Sequence, residues 1–468
     1  MKADAPLPTG AMAERRMTQP AVAIWGKDIA FFAENLTNVL TAAGVHVRDL
    51  TGPYDEGRDP AYPDALRLRV LERKARALTG VLHASQGPAL GSALLRLLAR
   101  LTETVAERIR GLADLFTVIW IGIHFDALIY TWRSSVSRHR YEYGLLRRLR
   151  CRTVLVLHGT EARPPYLNGV FVESGELEDA HALAQITKAR EKRMKRAEGG
   201  VDHIVGFPGA VHFLSRPVID RELLGFPIAP MSDSDTLRRS RDSGAPVVMH
   251  APSRAVAKGT RVVVATLDEL RKEGMEFNSD VSDDWRAHEE VLQAVARAQI
   301  VVDQLYADVP GGVLAREAMA AGAVAVVGSP IAAWLRLRYA GTGVALPVLV
   351  APEDVKSVLR ELLADPSEVR RLGQEGRAVF ETTQSPDAIA ARWTSVLFGE
   401  PDADWYFDPS AVDVVVHGFA PTSTLKSATR ELVQRFGVGA LGLDHNPNLR
   451  DAVVEFAFDN HSRATSGQ

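Results

Sequence analysis

The chain has 468 residues, 46% hydrophobic and 24% charged, a globular composition long enough for two or three domains. Its 55 basic and 58 acidic side chains nearly cancel to a net charge of -3, which removes any general basis for binding nucleic acid. A single cysteine, Cys151, rules out an intrachain disulfide and fits a reducing, cytoplasmic setting, and no run nears the roughly 18 apolar residues of a bilayer span.

Residues 1–19 carry Pro, Gly and charge without an apolar centre, so they read as a disordered tail rather than a secretory signal. AVAIWG (21–26) then reads as a buried strand, followed by a helix through Phe31, Phe32, Leu36, Val39 and Leu40. Gly44 stops that helix and a second strand begins at Val45, which makes one βαβ unit. Residues 67–112 are helix-rich. LFTVIWIGI (115–123), TVLVLH (153–158) and HIVG (203–206) are expected as further buried strands. The polar stretch 229–244 has no periodicity and reads as a linker.

The α/β pattern restarts beyond it. Strands are expected at 247–250, near 300–302 and at 323–327, and helices at 260–273, 313–321, 352–364, 367–382 and 386–397. Pro352, Pro366 and Pro386 each stand where a helix begins. Residues 401–468 read as a small α/β appendage, with strands at 412–417 and 440–443 and helices at 424–436 and 448–458. No motif or repeat assigns it a role, and a protein-partner surface is one use for it.

Two segments carry chemistry. HAPSRAVAKGT (250–260) leaves a strand and enters a helix, and its loop holds Ser253, Arg254 and Lys258. Free backbone N–H groups and the helix dipole converge at such a start, so two cations there could hold a diphosphate or stand as solvated charges. In the second segment, 301–330, Pro310, Gly311 and Gly312 lead into a helix at Val313 that carries Glu317. Paired glycines admit close approach to a ligand, and a carboxylate in the second turn suits ribose hydroxyls. Helix starts of this kind meet at the carboxyl edge of an open sheet, where ligands bind.

These segments, with HEEVLQAVARAQIVVDQ (288–304), GGVLAREAMAAGAVAVV (311–327) and ADPSEVRRLGQEGRAVFE (364–381), resemble glycosyltransferase family 4. The resemblance is clear over 245–397, weaker over 20–228, and absent beyond about 400. It implies the GT-B architecture, in which two Rossmann-like doubly wound domains face a central cleft, here an acceptor domain over 20–228 and a nucleotide-sugar domain over 245–398. It further implies a retaining transfer of sugar from a nucleoside-diphosphate-sugar to a hydroxyl acceptor, with no metal or other cofactor required. By resemblance, Lys258 contacts the donor diphosphate beside Arg254 or the Ser253 loop, and Glu317 is the second, ribose-binding Glu of the family's Glu-x7-Glu motif. Gly311, Gly312 and Val313 then lie under the phosphates and the transferred sugar. The first Glu is missing: Val309 stands eight residues before Glu317, with Asp308 beside it as a candidate substitute.

In the first half, His158 opens a His-Gly dipeptide that in this family often faces the cleft, and Gly26 with Lys27 either approaches a ligand or forms a tight turn. His124 and Asp126, read as following a strand, are further candidates for the cleft. The base-recognition loop is expected over 277–284. Between Arg133 and Arg152 lie seven arginines against Glu142 alone, and between Lys188 and Arg196 six basic residues against Glu191. These stretches suit a solvated helix face, a peripheral contact with an anionic membrane, or a phosphorylated acceptor. Two other readings of the whole stay open: a non-catalytic homologue that binds a sugar nucleotide or a protein, and a sugar-nucleotide epimerase.

Overall fold

The computed structural model describes residues 19–51, 71, 74–77, 79, 91–137, 141–172, 174–229, 245–282 and 286–459. Nearly all of the expected tail and of the expected linker, and part of the expected base-recognition loop, lie outside them. The chain divides into one unit of Met1–Ile29, Leu40–Val156 and Gly200–His203, and another of Ala30–Val39, Leu157–Gly199 and Ile204–Gln468. The fold is mixed α/β, and its sheets are parallel apart from one two-residue strand.

In the first unit, β1 (Ala21–Gly26), β2 (His46–Leu50), β3 (Ala127–Thr131) and β4 (Arg152–Val156) stand parallel in the order β4-β3-β1-β2. Val22 aligns with Val47 on one side and Ala127 on the other. α1 (Phe32–Ala42) follows β1 in the chain, and its residues up to Val39 belong to the other unit. α2 (Gly91–His124) overturns the strand expected at 115–123. Its buried residues Ala99, Ala106 and Ala113 are seven apart, and Ala113, Thr117 and Ile121 four apart, while Leu112, Phe116 and Ile123 are exposed. That is a helical face. The strand arrives later, at the fully buried β3, so His124 and Asp126 precede it. The His124 ring faces Trp120 O at 2.8 Å, and Asp126 accepts from the Ala21 amide at 2.9 Å.

Gly26 has φ +137°, and a Cβ there would lie 1.8 Å from Thr131 O. The Lys27 amide donates to that same oxygen at 3.1 Å. The turn reading of Gly26 accounts for the residue: it lets β1 close against the end of β3. Gly26→Ala should cost about 2–4 kcal/mol, from positive-φ strain plus overpacking. Chemical denaturation tests this, and an unchanged midpoint would remove the packing account.

α3 (Tyr141–Arg148) lies in the first arginine-rich stretch. Its one acid, Glu142, is buried and accepts from Tyr130 OH at 2.5 Å and from the Val136 and Ser137 amides at 2.7 Å. Burial first, and then Glu142, push the Tyr130 phenol well up.

In the second unit, α4 (Ala180–Glu198) starts on Asp179, whose carboxylate caps the His181 and Ala182 amides. This is the second basic stretch, and it is not a uniform solvated face. Arg190 donates to Arg163 O and lies over the Phe171 ring, while Lys195 pairs with Glu191 along the helix. β5 (His203–Gly206) pairs with β6 (Val218–Asp220), which leads into the single turn α5 (Arg221–Leu224).

The five-stranded parallel sheet of this unit holds β7 (Val247–His250), β8 (Asn278–Val281), β9 (Ile300–Val302), β10 (Val324–Gly328) and β11 (Val348–Val350), in the order β11-β10-β9-β7-β8. Alternation sends Met249, Val301, Ala325 and Val327 to one apolar layer and Val248, Ile300, Val302, Val324 and Val326 to the other. The first layer is covered by α8 (His288–Arg297) and α9 (Val313–Ala320), the second by α7 (Thr260–Lys272), which follows the single turn α6 (Ala255–Lys258). After β10 comes α10 (Ala332–Tyr339). A 3-10 turn at Pro352–Asp354 leads into α11 (Val355–Ala364), and α12 (Pro366–Thr383) and α13 (Pro386–Phe398) open on proline as expected.

Residues beyond 400 differ from expectation. β12 (Tyr406–Phe407) pairs antiparallel with β6, and α14 (Thr422–Phe436) and α15 (Pro447–Phe458) form, but neither expected strand does. Residues 412–417 bury Val412 and Val416 in the first layer without joining a ladder. Residues 438–441 form a 3-10 turn between Gly437 and Gly442, both at positive φ. The region is built into its unit: Tyr166 OH donates to Leu441 O at 2.9 Å, and Thr429 Oγ1 to Tyr166 O at 3.2 Å. Among the described residues no helix is long and apolar enough to cross a membrane.

Candidate functional site

The strand order places the site. From β7 the chain passes to β8 on one side, then returns to β9 on the other, so connections leave β7 and β9 in opposite directions. The carboxyl ends of those two strands flank the switch point, where doubly wound sheets open a crevice. His250, fully buried at the end of β7, links β7 to β9 and to α7: its ring nitrogens lie 2.7 Å from Val302 O and 2.9 Å from Thr260 Oγ1.

Lys258 Nζ donates to Asp303 Oδ1 at 2.9 Å, and the Gly312 amide donates to Asp303 Oδ2 at 2.8 Å. One carboxylate at the end of β9 thus ties the β7 loop to the start of α9. Asp303 is 0% exposed while the Lys258 side chain keeps 17%, so a lysine with some access to solvent rests on a buried anchor. A Cβ at Gly312 would stand 2.8 Å from Asp303 Oδ2 and 3.5 Å from Lys258 Nζ, which reserves the position for glycine. The first-turn amides of α9, beginning at Val313, have no partner within the helix. Gly311 is buried just before them. Asp303 was not singled out in the sequence; its signal was an acid ending the apolar run IVV.

Glu317 sits one turn into α9 and is only 2% exposed. Its Oε1 accepts from His288 Nε2 at 2.6 Å. Burial pushes the Glu317 carboxyl up, and His288 opposes this; the hydrogen bond to Glu317 raises the His288 imidazole. The imidazole stacks on Phe31, with centroids 4.6 Å apart and planes at 12°.

The other candidates fall elsewhere. Ser253 and Arg254 are exposed, and Arg254 makes no side-chain bond among the described residues. Asp308, the candidate substitute for the missing Glu, is committed: Arg163 Nε donates to its Oδ2 at 2.7 Å and a terminal guanidinium nitrogen pairs with the same oxygen, both side chains being 2% exposed or less. Val309 is buried beside it. His158 meets Phe32 edge-on at 4.9 Å, and burial, then the Arg221 charge, hold it down to about 3, so its imidazole is neutral at physiological pH. Gly159 after it has φ +136° and lies against the Arg163 guanidinium. In the 277–284 stretch, β8 supplies Asp280, which pairs with Arg286 at 2.6 Å. Among the described residues no group of three His, Cys, Asp or Glu could hold a metal ion.

Fold and site define a class: a doubly wound parallel α/β unit whose switch point presents an anchored lysine, a helix start and a buried carboxylate. No family model matches the chain, and neither does any curated protein. Among solved structures it is similar to HepE from Anabaena, crystallised with UDP and glucose and with UDP-glucose, at 13% identity over 81% of this chain and 99% of that one, with TM-scores of 0.42 and 0.43. It is also similar to the glycosyltransferase SnogD from Streptomyces nogalater (13% identity, 81% and 99% covered, TM-score 0.39). A third is WaaG, a glycosyltransferase involved in lipopolysaccharide biosynthesis (11% identity, 81% and 100% covered, TM-score 0.36). Likeness at this level fixes neither the family nor the reaction of this chain.

Proposed function

We propose that the chain is a GT-B-type glycosyltransferase of the family 4 kind that binds a nucleoside-diphosphate-sugar at the β7/β9 switch point and transfers the sugar to a hydroxyl with retention. The observation that carries this is the Lys258–Asp303–Gly312 arrangement at the start of α9, with Glu317 one turn further along the same helix. An ammonium and unpaired helix amides suit a diphosphate, and a carboxylate at that spacing suits the ribose diol of the same ligand. In this reading Lys258 and the α9 start stabilise the departing diphosphate without a metal. That contribution is charge placed where it develops in the transition state, worth several kcal/mol. Residues 20–228 supply the acceptor side and 245–398 the donor side, with His158 meeting the donor sugar or a phosphate.

A second reading, a sugar-nucleotide binder without turnover, draws on one observation: Val309 replaces the first Glu of the motif while Asp308 is held by Arg163. A thermal-shift series with UDP, GDP, ADP and dTDP tests both. A diphosphate present at one hundred times Kd should stabilise the chain by about 2.7 kcal/mol. No shift with any of the four removes the donor-site reading. A shift without sugar release or transfer, followed with the matching nucleotide-sugars, selects the second.

A further inference from the structure

The strongest feature the donor-site reading does not use is the pair His288–Glu317 with its aromatic backing. Glu317 is buried, and a carboxylate without a donor there would tend to take up a proton. A protonated carboxyl is a poorer acceptor for two ribose hydroxyls. His288 opens α8, and its Nε2 lies 2.6 Å from Glu317 Oε1. Among the described residues no donor is aimed at Oε2, so one carboxylate oxygen is fixed and the other left for a ligand. Phe31 stacks flat on the imidazole from the loop before α1. Ala30 and Phe31 hold φ of +53° and +59°, an arrangement costly for non-glycine residues, and Phe31 nonetheless stays largely exposed.

Resting on the donor-site reading, we infer that His288 is a positioning residue of the nucleotide site: its Nε2–H turns Glu317 so that Oε2 faces the ribose hydroxyls, and Phe31 sets the imidazole plane. The charged groups facing this pair are Asp303, which opposes ionisation of Glu317, and Glu34, which favours the protonated His288. His288 is thus the cation-side partner that keeps Glu317 ionised against burial and Asp303. The sign follows: without His288, the Glu317 carboxyl titrates at higher pH, and nucleotide binding is lost sooner as pH falls.

The test is isothermal titration of the full chain with UDP, GDP, ADP and dTDP between pH 5.5 and 8. His288→Ala should weaken the bound diphosphate about 10-fold at pH 8, the size of one charge-assisted hydrogen bond, and more steeply than wild type towards pH 5.5. His288→Gln, which keeps a donor without titrating, should restore most of the affinity and flatten the excess pH dependence. Phe31→Ala should shift the profile the same way by less. Glu317→Gln should bind weakly at every pH without a carboxyl-linked loss. Should His288→Ala fail to fold, the Gln and Phe31 variants carry the comparison. If His288→Ala matches wild type in affinity and pH profile while Glu317→Gln loses binding, the positioning role is wrong and the donor site stands. If wild type binds none of the four, both fall.

Discussion

Lys258→Ala should lower affinity for the bound nucleoside diphosphate at least about 100-fold and lower stability at the same time. The two losses have different origins. Affinity falls because the ammonium is gone, while the fold weakens because Asp303, 0% exposed, keeps a charge whose cation is missing. Removing one partner of a buried pair costs about 3–5 kcal/mol; since Lys258 retains access to water, the lower part of that range applies. The Gly312 amide still donates to Asp303, which softens the loss further. Adding Asp303→Asn should therefore recover most of the stability without recovering any affinity. Thermal unfolding with and without UDP, GDP, ADP or dTDP separates the two effects. A Lys258→Ala protein that keeps the full nucleotide shift would place the diphosphate elsewhere. As plain cleft-lining side chains, Lys258 and Glu317 could be replaced without cost to the fold. The buried Asp303 and His288 contacts change that expectation.

The elements nearest the site were the most legible. β7 and β9 are short apolar runs bounded by polar loops, and both occupy the residues expected. α9 begins at Val313 because Gly312 supplies its cap position. Legibility failed where an apolar run has no period of its own. Residues 115–123 are apolar enough for a buried strand, and only the spacing of Ala99, Ala106 and Ala113 upstream reveals the helix they continue. Residues 412–417 are valine-rich, yet bury Val412 and Val416 with no strand alongside to pair with. Partners remote in sequence gave no local signal at all. Lys258 was legible, but the Asp303 that aims it lies 45 residues away. Glu317 was legible and His288 was not, because nothing in HEEV marks a ring that turns towards α9. Asp308 was weighed as a sugar ligand because its partner, 145 residues earlier, is invisible to any window along the chain.

That partner makes Arg163→Met the substitution with the largest expected cost to folding. Three loops meet on the Arg163–Asp308 pair. Gly159 before it has φ +136°, where any side chain is strained, and a Cβ would press on the guanidinium at 3.0 Å. The Phe419 amide donates to Tyr306 O at 2.7 Å, and the Phe419 ring lies 4.8 Å from the guanidinium carbon. A Cβ at Gly209 would collide with Asp308 Oδ2. Burial, followed by the Arg163 charge, holds nearby His212 down to about 3, so in the native fold that imidazole is neutral beside the pair. With Arg163→Met, Asp308 is an uncompensated buried carboxylate, at a cost of about 3–5 kcal/mol and a midpoint lowered by roughly 5–10 °C. Arg163→Met combined with Asp308→Asn removes both charges at nearly constant volume and should be more stable than Arg163→Met alone. The same pair of variants bears on the missing Glu. If Asp308 served the sugar, Asp308→Asn would end transfer while sparing the unfolding midpoint; the buried pair predicts that the midpoint falls first, with nucleotide affinity kept by the folded fraction.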